Sequence, residues 1–266
     1  MNIFLYAIIF IIGTVFGSFY TLAVYRIPKN IDIIKTHSYC PNCNHKLGFF
    51  ELIPVWSYII LGGKCKHCNQ PIRARYLILE ILSGCTFLML AQLFKINIYT
   101  LNIQKITVFA LTILYFTALV LIIAIDKEYR KIDKKVLAYG IFISLIYMIY
   151  LYTIEPTSIY RYAIYLGIFI ILLSIDTILL RKLAKESYIV NILIFINIIL
   201  IFTDFSITIL TIVIASLAIV IYILEQKIIQ KKKTIKKSSL NDIPLGFFIG
   251  VSNIIVLFMM NLISQL

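Results

Sequence analysis

The residues best suited to chemistry are four cysteines, arranged as Cys40-Pro41-Asn42-Cys43 and Cys65-Lys66-His67-Cys68, two CxxC pairs separated by 21 residues in a chain with only five cysteines. Each CxxC sets two thiolates on one tight knuckle, and two knuckles complete the tetrahedral four-sulfur site that Zn²⁺ prefers. The alternatives are two redox pairs or four small packing residues. A site closed by four thiolates has no open coordination position, so the expected role is structural. Cys85 lies inside an apolar run and is expected to be inert packing. His37, His45 and His67 flank the knuckles and are expected beside the metal rather than on it.

Acids supply the second chemistry. Asp126 follows the uninterrupted apolar run from Leu119 to Ile125, Asp176 sits five residues before Arg181, and Glu80, Glu186 and Asp242 fall close to the ends of apolar runs. Acids at membrane depth are costly and mark a functional site or a buried partner. Two carboxyl groups with split pKa values can hydrolyse a peptide bond, one as base on water and the other as acid. The bland alternatives are a helix-end Asp126 reached by water and an Asp176 that pairs with Arg181 or Lys182.

These groups must be positioned by membrane helices. Of 266 residues, 61% are apolar and 14% charged, and the mean hydropathy is +0.97. That composition excludes a soluble globule, a disordered chain and a disulfide-rich secreted scaffold. Runs long enough to cross ~30 Å of hydrocarbon predict eight helices over 3–25, 77–94, 106–125, 136–154, 162–180, 188–202, 206–224 and 243–264, with the sixth and seventh divided at Thr203, Asp204 and Phe205. The fold class is therefore an all-α polytopic membrane protein with a small four-cysteine zinc-knuckle domain between its first two transmembrane helices.

With eight spans, 22 of the 25 Lys and Arg fall on one side, leaving only Lys95, Lys105 and Arg161 on the other. The positive-inside rule then places the zinc loop in the cytoplasm and both termini outside. Thiols remain reduced there and available to metal. The net charge of +13 sits beside membrane ends, which predicts a lipid bilayer partner and no nucleic acid. The run Lys231, Lys232, Lys233, Lys236 and Lys237 reads as a solvated topology determinant or, alternatively, as a dock for an acidic partner.

One stretch carries a resemblance to a known family. Cys40-Pro-Asn-Cys43, Glu51-Leu-Ile-Pro-Val-Trp-Ser-Tyr58, Gly63-Lys-Cys-Lys-His-Cys68, Pro71-Ile72 and Arg75-Tyr76 through Glu80 closely resemble the cytoplasmic domain of bacterial prepilin peptidases, the type IV leader peptidases. Gly17-Ser-Phe19 and Tyr25-Arg-Ile-Pro28 resemble the end of that family's first helix. The resemblance implies an aspartic-type intramembrane enzyme of the bacterial cytoplasmic (inner) membrane. Such enzymes cleave the basic leader of prepilins or pseudopilins, usually after Gly, and methylate the new N-terminus from S-adenosylmethionine. It further implies that Arg75, Tyr76 and Glu80 bind substrate or methyl donor; the bland alternative is a salt bridge of Glu80 with a partner such as Arg75 that fixes helix entry.

The same resemblance divides the chain into a first transmembrane helix (1–28), a cytoplasmic four-cysteine domain (29–76), a second helix with an outer loop (77–105), a peptidase-like membrane core (106–224), and a basic loop with the last helix (225–266). Family members use one aspartate in an Ile-Asp stretch ending a helix and a second in a later Gly-x-Gly-Asp motif. Ile125-Asp126 matches the first. The stretch from Lys185 to Phe195 lacks both glycines of the second, and an ungapped placement puts Asn191 where aspartate belongs. An amide cannot exchange a proton as a carboxyl does. Thr21 in place of the family's Asn, and Asp133-Lys134 in place of Pro-Asp, depart in the same direction, whereas Ile243-Pro244-Leu245-Gly246-Phe247 resembles the family's entrance to the last helix.

Three readings follow. The chain is a working prepilin peptidase in which Asp176 or Glu186 supplies a displaced second acid; or it has lost proteolysis and keeps methylation or substrate binding; or it is a membrane scaffold whose zinc knuckle docks a pilus-assembly partner.

Overall fold

The structure is a computed structural model that describes residues 2–33, 35–154, 159–183, 188–233 and 243–265. The described residues form α-helices α1 (Asn2–Arg26), α2 (Trp56–Ile60), α3 (Arg75–Leu93), α4 (Ile103–Tyr129), α5 (Lys134–Ile154), α6 (Ile159–Leu183), α7 (Tyr188–Phe202), α8 (Phe205–Lys233) and α9 (Leu245–Gln265), with no strand among them. Six, namely α1, α3, α4, α5, α6 and α8, are long and apolar enough to cross a membrane, while α7 and the Leu245–Met260 part of α9 are shorter apolar helices. The protein is thus an all-α polytopic membrane protein, and each of the eight expected runs is a helix. Their outer faces carry exposed Ile, Leu, Val and Phe, as at Ile11, Ile149, Ile171 and Leu217. Helices that are apolar all round suit a lipid surround.

Two helices run further than the apolar runs suggested. α4 continues through Asp126 to Tyr129, so Asp126 lies within a helix rather than on a loop. α8 continues to Lys233, because Glu, Gln and Lys are good helix formers once the apolar stretch has ended. The short break between α7 and α8 falls at the expected Thr203 and Asp204: the Thr203 N–H still donates to the Ile199 carbonyl, and the Asp204 carbonyl receives the Thr208 N–H of the next helix.

The chain divides into two compact units, residues 1–113 and 114–266, and the division falls inside α4. In the first unit α1 packs along α3. A Cβ on Gly13 would stand 2.8 Å from Gly84 Cα, and one on Gly17 would stand 2.8 Å from Glu80 Cα. Small residues at such crossings let two membrane helices approach closely enough for backbone contact. Fully buried Phe87 fills the space beside them against Phe16, with ring centroids 5.2 Å apart.

In the second unit α7 is the most enclosed helix, with Phe195, Ile198 and Ile199 wholly buried, and it packs against α5, α6, α8 and α9. Polar pairing inside this core is complete at one point. The Tyr115 hydroxyl donates to Asn253 Oδ1 at 2.9 Å, and Asn253 Nδ2 donates to Thr211 Oγ1 at 3.2 Å. Stacked rings of Tyr115, Phe202 and Tyr147, with centroids 4.2 and 4.4 Å apart, close the core around it.

Candidate functional site

The four-cysteine region is built from the end of α1 outward. A one-turn 3-10 helix, Ile27–Lys29, follows α1 and ends at Asn30 in the left-handed conformation (φ 55°). The chain then wraps around the buried Arg26 guanidinium. Arg26 donates to the carbonyls of Asp32 (3.4 Å), Ile33 (3.3 Å), Thr36 (2.7 Å) and His37 (3.3 Å). A planar guanidinium offers five N–H donors from three nitrogens, against three from the single nitrogen of an ammonium, so it can reach all four carbonyls.

The two knuckles repeat one local structure. Cys40 N–H donates to the His45 carbonyl and Asn44 N–H returns to the Cys40 carbonyl, both at 2.9 Å. Cys65 N–H donates to the Gln70 carbonyl (2.9 Å) and Asn69 N–H to the Cys65 carbonyl (3.0 Å). Asn44 and Asn69, each directly after the second cysteine of its pair, take φ values of 56° and 55°, a conformation that asparagine tolerates better than most residues. The four Sγ atoms all lie within 4.8 Å of one another, and Cys40 Sγ and Cys68 Sγ are 3.8 Å apart. Zn–S bonds of ~2.3 Å at tetrahedral angles require sulfur–sulfur edges of ~3.8 Å, so the cluster fits Zn²⁺.

Without metal these thiols are unequal. The Asn42 side chain and the Gln70 backbone lower the pKa of Cys68 to about 6. For Cys43 the strongest single influence, a hydrogen bond from the His45 backbone, lowers the value, but burial and the three neighbouring thiols raise it to about 11. Beside them His45, Glu51 and His67 gather. Glu51 Oε2 accepts the Gly48 N–H at 2.7 Å and lies 3.6 Å from His45 Nε2; the Gly48 contact holds its carboxyl below the usual range. The two imidazole centroids are 3.4 Å apart with the rings tilted by 33°, and the ligand atoms of His45, Glu51 and His67 lie within 4.8 Å of one another, close enough to share a metal ion. The histidines expected beside the four-cysteine metal thus belong to a second group of potential ligands.

Glu80, Arg75 and Tyr76 lie where the chain enters α3. Glu80 is buried, and its Oε2 accepts the Val55 N–H at 2.7 Å. Val55 has φ 63° and ψ −53°, and the Trp56 N–H donates to the Pro54 carbonyl at 2.6 Å: a γ-turn of the rare positive-φ form. A β-branched residue there costs about 1–3 kcal/mol and persists only where its surroundings hold it, and Glu80 is what holds it. Arg75 lies 5.7 Å from the centroid of the exposed Tyr76 ring. Val55 belongs to the family-like stretch Glu51–Tyr58, but nothing in that pattern pointed to a γ-turn there.

The second unit gathers its own cluster at Asp126, which is wholly buried. The Tyr188 hydroxyl lies 2.8 Å from Asp126 Oδ1 and 3.0 Å from Oδ2, and donates to the carboxylate. The Phe247 N–H, in the first turn of α9, donates to Oδ2 at 3.0 Å. The tyrosine oxygen in turn accepts the Leu245 N–H at 2.9 Å. A Cβ on Gly246 would come within 3.1 Å of Oδ2, so the glycine admits the helix backbone to the carboxylate. Unpaired N–H groups at a helix start, with the helix dipole, favour an anion there. That explains the physical role of Ile243-Pro244-Leu245-Gly246-Phe247.

The residue that meets Asp126 is therefore Tyr188, at the first position of α7, and not Asn191. Asn191 lies about one turn further along, buried, with Oδ1 lacking a partner among the described residues. Asp176 accepts from Lys134 Nζ at 3.2 Å through Oδ2, while its Oδ1 is buried without a partner among the described residues. This ion-pair partner among the described residues is on α5, while Arg181 and Lys182, the partners that the sequence offered, have side chains that lie outside them. Glu186 and Asp242 also lie outside the described residues. Tyr188 stands three positions before Asn191, at the end of Lys185-Glu-Ser-Tyr188.

Comparison with known proteins places the first unit. Residues 11–94 match the model of the bacterial peptidase A24 N-terminal domain. A prepilin leader peptidase/N-methyltransferase of Vibrio cholerae serotype O1 is 34% identical over 122 residues, covering 42% of this chain and 45% of that protein. The protein of the same name from Bacillus subtilis is 30% identical over 133 residues, half of each chain. That of Myxococcus xanthus is 37% identical over 79 residues, 30% of this chain and 24% of its own. The chain spans about half, or less, of the length of these relatives. No solved structure matches it.

Proposed function

We propose, from the premise that residues 11–94 belong to the bacterial peptidase A24 N-terminal domain family, that this chain handles prepilins or pseudopilins at the cytoplasmic membrane without cleaving them by an aspartate pair. Support for the loss of cleavage comes from Asp126. Both of its oxygens are engaged, by the Tyr188 phenol and by the start of α9. Aspartic hydrolysis needs a second carboxyl that shares a proton with the first and titrates apart from it. A phenol, with an ordinary pKa near 10, holds its proton at neutral pH. Asp126 here acts as a strut joining α4, α7 and α9.

What the chain keeps, on this reading, is the N-methyltransferase half of the relatives' double name, or the substrate binding that goes with it. The four-cysteine domain with one Zn²⁺, together with Arg75, Tyr76 and Glu80, binds the prepilin N-terminus or the S-adenosylmethionine that methylates it. The distribution of basic residues supports a cytoplasmic zinc loop and outward termini. A second reading rests on Asp176 Oδ1, which has no partner among the described residues: a displaced acid that restores cleavage.

Purified protein with a synthetic prepilin and labelled methyl donor separates the two. Wild type is expected to leave the leader uncut, and Tyr188→Asp to gain cleavage where Asn191→Asp does not. Wild-type cleavage abolished by Asp176→Asn or Glu186→Gln would overturn the proposal and identify the displaced acid. Methylation, scored separately, tests the retained half through Glu80→Gln.

A further inference from the structure

The stretch between the knuckles is soluble by position but not by composition. From Leu47 to Gly63 only Glu51 is charged, and that carboxylate turns inward to Gly48 and His45. The opposite face bears Phe49, Phe50, Leu52, Trp56, Ile59 and Ile60, each between 43% and 80% exposed. So many exposed large apolar side chains within one short stretch mark an interaction surface.

The Glu80–Val55 bond fixes its depth. α3 has 19 residues, ~28 Å of helix, barely enough for ~30 Å of hydrocarbon, so its first residue, Arg75, lies at the hydrocarbon edge. Glu80 lies five residues further in, ~7 Å deeper. It is packed at Gly17, nine residues and ~13 Å from the end of α1. The γ-turn tied to Glu80 therefore stands at or below the level of the headgroups. The strained Val55 backbone is what turns the chain back at that depth, with Trp56 at the start of the return.

We propose that residues 49–60 are a re-entrant segment seated in the membrane interface, with Phe49, Phe50, Trp56, Ile59 and Ile60 among the lipid, anchoring the four-cysteine domain against the bilayer. Trp and Tyr suit that layer, having an apolar body and a polar tip. The bilayer is the occupant, and not an apolar helix of another protein, because the tether runs to a membrane-crossing helix of the same unit and by itself sets the depth.

Trp56 is the only tryptophan in the chain, so the full-length protein in liposomes reports on this segment directly. Its emission is expected to be blue-shifted and barely quenched by aqueous iodide. Most of it should be lost in bilayers of lipid brominated near the headgroup end of the acyl chain, and less with bromine near the methyl end. Free quenching by iodide with no response to brominated lipid would overturn the proposal and place the loop in water. So would shielding that appears only when an apolar prepilin peptide is added, since the face would then be a protein-docking surface.

Discussion

In residues 1–113 the buried Arg26 and Glu80 and the two knuckles are held by backbone. Arg26 is cradled by four carbonyls, Glu80 takes the amide of Val55, and each knuckle is closed by its own N–H and C=O groups. In residues 114–266 two of the acids singled out in the sequence lie among the described residues and are held by side chains, Asp126 by Tyr188 and Asp176 by Lys134, with the start of α9 adding backbone donors. Backbone partners need a particular loop path and hence a long local pattern. Side-chain partners need only one suitable residue on a facing helix, which substitution can exchange. The family model ends at residue 94, within the first kind of region, and Asp126, Tyr188 and Asn191 lie in the second.

The largest expected effect tests the first region. Cys65 is buried, and Cys65→Ser replaces a thiolate by a hydroxyl that binds Zn²⁺ poorly. Metal supplies much of the folding free energy in small, core-poor domains, about 10–16 kcal/mol of apparent binding in zinc-finger peptides. Zinc content is expected to fall from one per chain to none, and limited proteolysis to open the loop between 29 and 74. The helices of the second unit should keep their circular dichroism. Full zinc occupancy in the variant would break the comparison by showing that the knuckles do not depend on the metal site.

How much of this could be read in advance follows the same division. The four-cysteine set is legible because CxxC is a local pattern whose spacing dictates geometry, and the spans are legible because an uncharged run of bilayer length has few other uses. The Asp126 partner was not. Tyr188 is 62 residues away, and a tyrosine opening an apolar helix carries no signal of its own until the helices are packed. The γ-turn at Val55 was hidden for the opposite reason: local propensity argues against a β-branched residue at positive φ, and only the bond to Glu80 explains it. Arg26 could be read as part of a family-like Tyr25-Arg-Ile-Pro28, but its role as the post around which the loop winds needed coordinates.

A smaller effect sharpens the account of backbone cradling. Arg26→Lys keeps the charge and removes the fork, so at most three N–H donors from one nitrogen remain for four carbonyls. Hydrogen bonds to a charged group contribute about 1.5–3 kcal/mol, and a loss of that size is expected in the stability of the first unit, measured as earlier thermal release of zinc. An unchanged release temperature would mean that water replaces the cradle without cost, and that the backbone in this region is held by the knuckles alone.

The smallest effect is expected at Lys134. Its Nζ lies 3.2 Å from Asp176 Oδ2, with the two side chains 36% and 12% exposed, so solvent screens the pair from the lysine side. Exposed or half-exposed ion pairs contribute up to about 1 kcal/mol, and Lys134→Gln, which can still donate a hydrogen bond, should lower the unfolding free energy of the second unit by no more than that. Removing one partner of a fully desolvated pair instead costs about 3–5 kcal/mol, because the other charge is stranded. A loss in that range would mean that Asp176 stands in a dry interior with an uncommitted oxygen, which is the condition a displaced catalytic acid requires. The second region would then contain a working carboxyl in addition to its struts, and cleavage in the Lys134→Gln variant would be the next quantity to measure. A loss within about 1 kcal/mol, with helical content intact, leaves Asp176 as the end of a screened tie between α5 and α6.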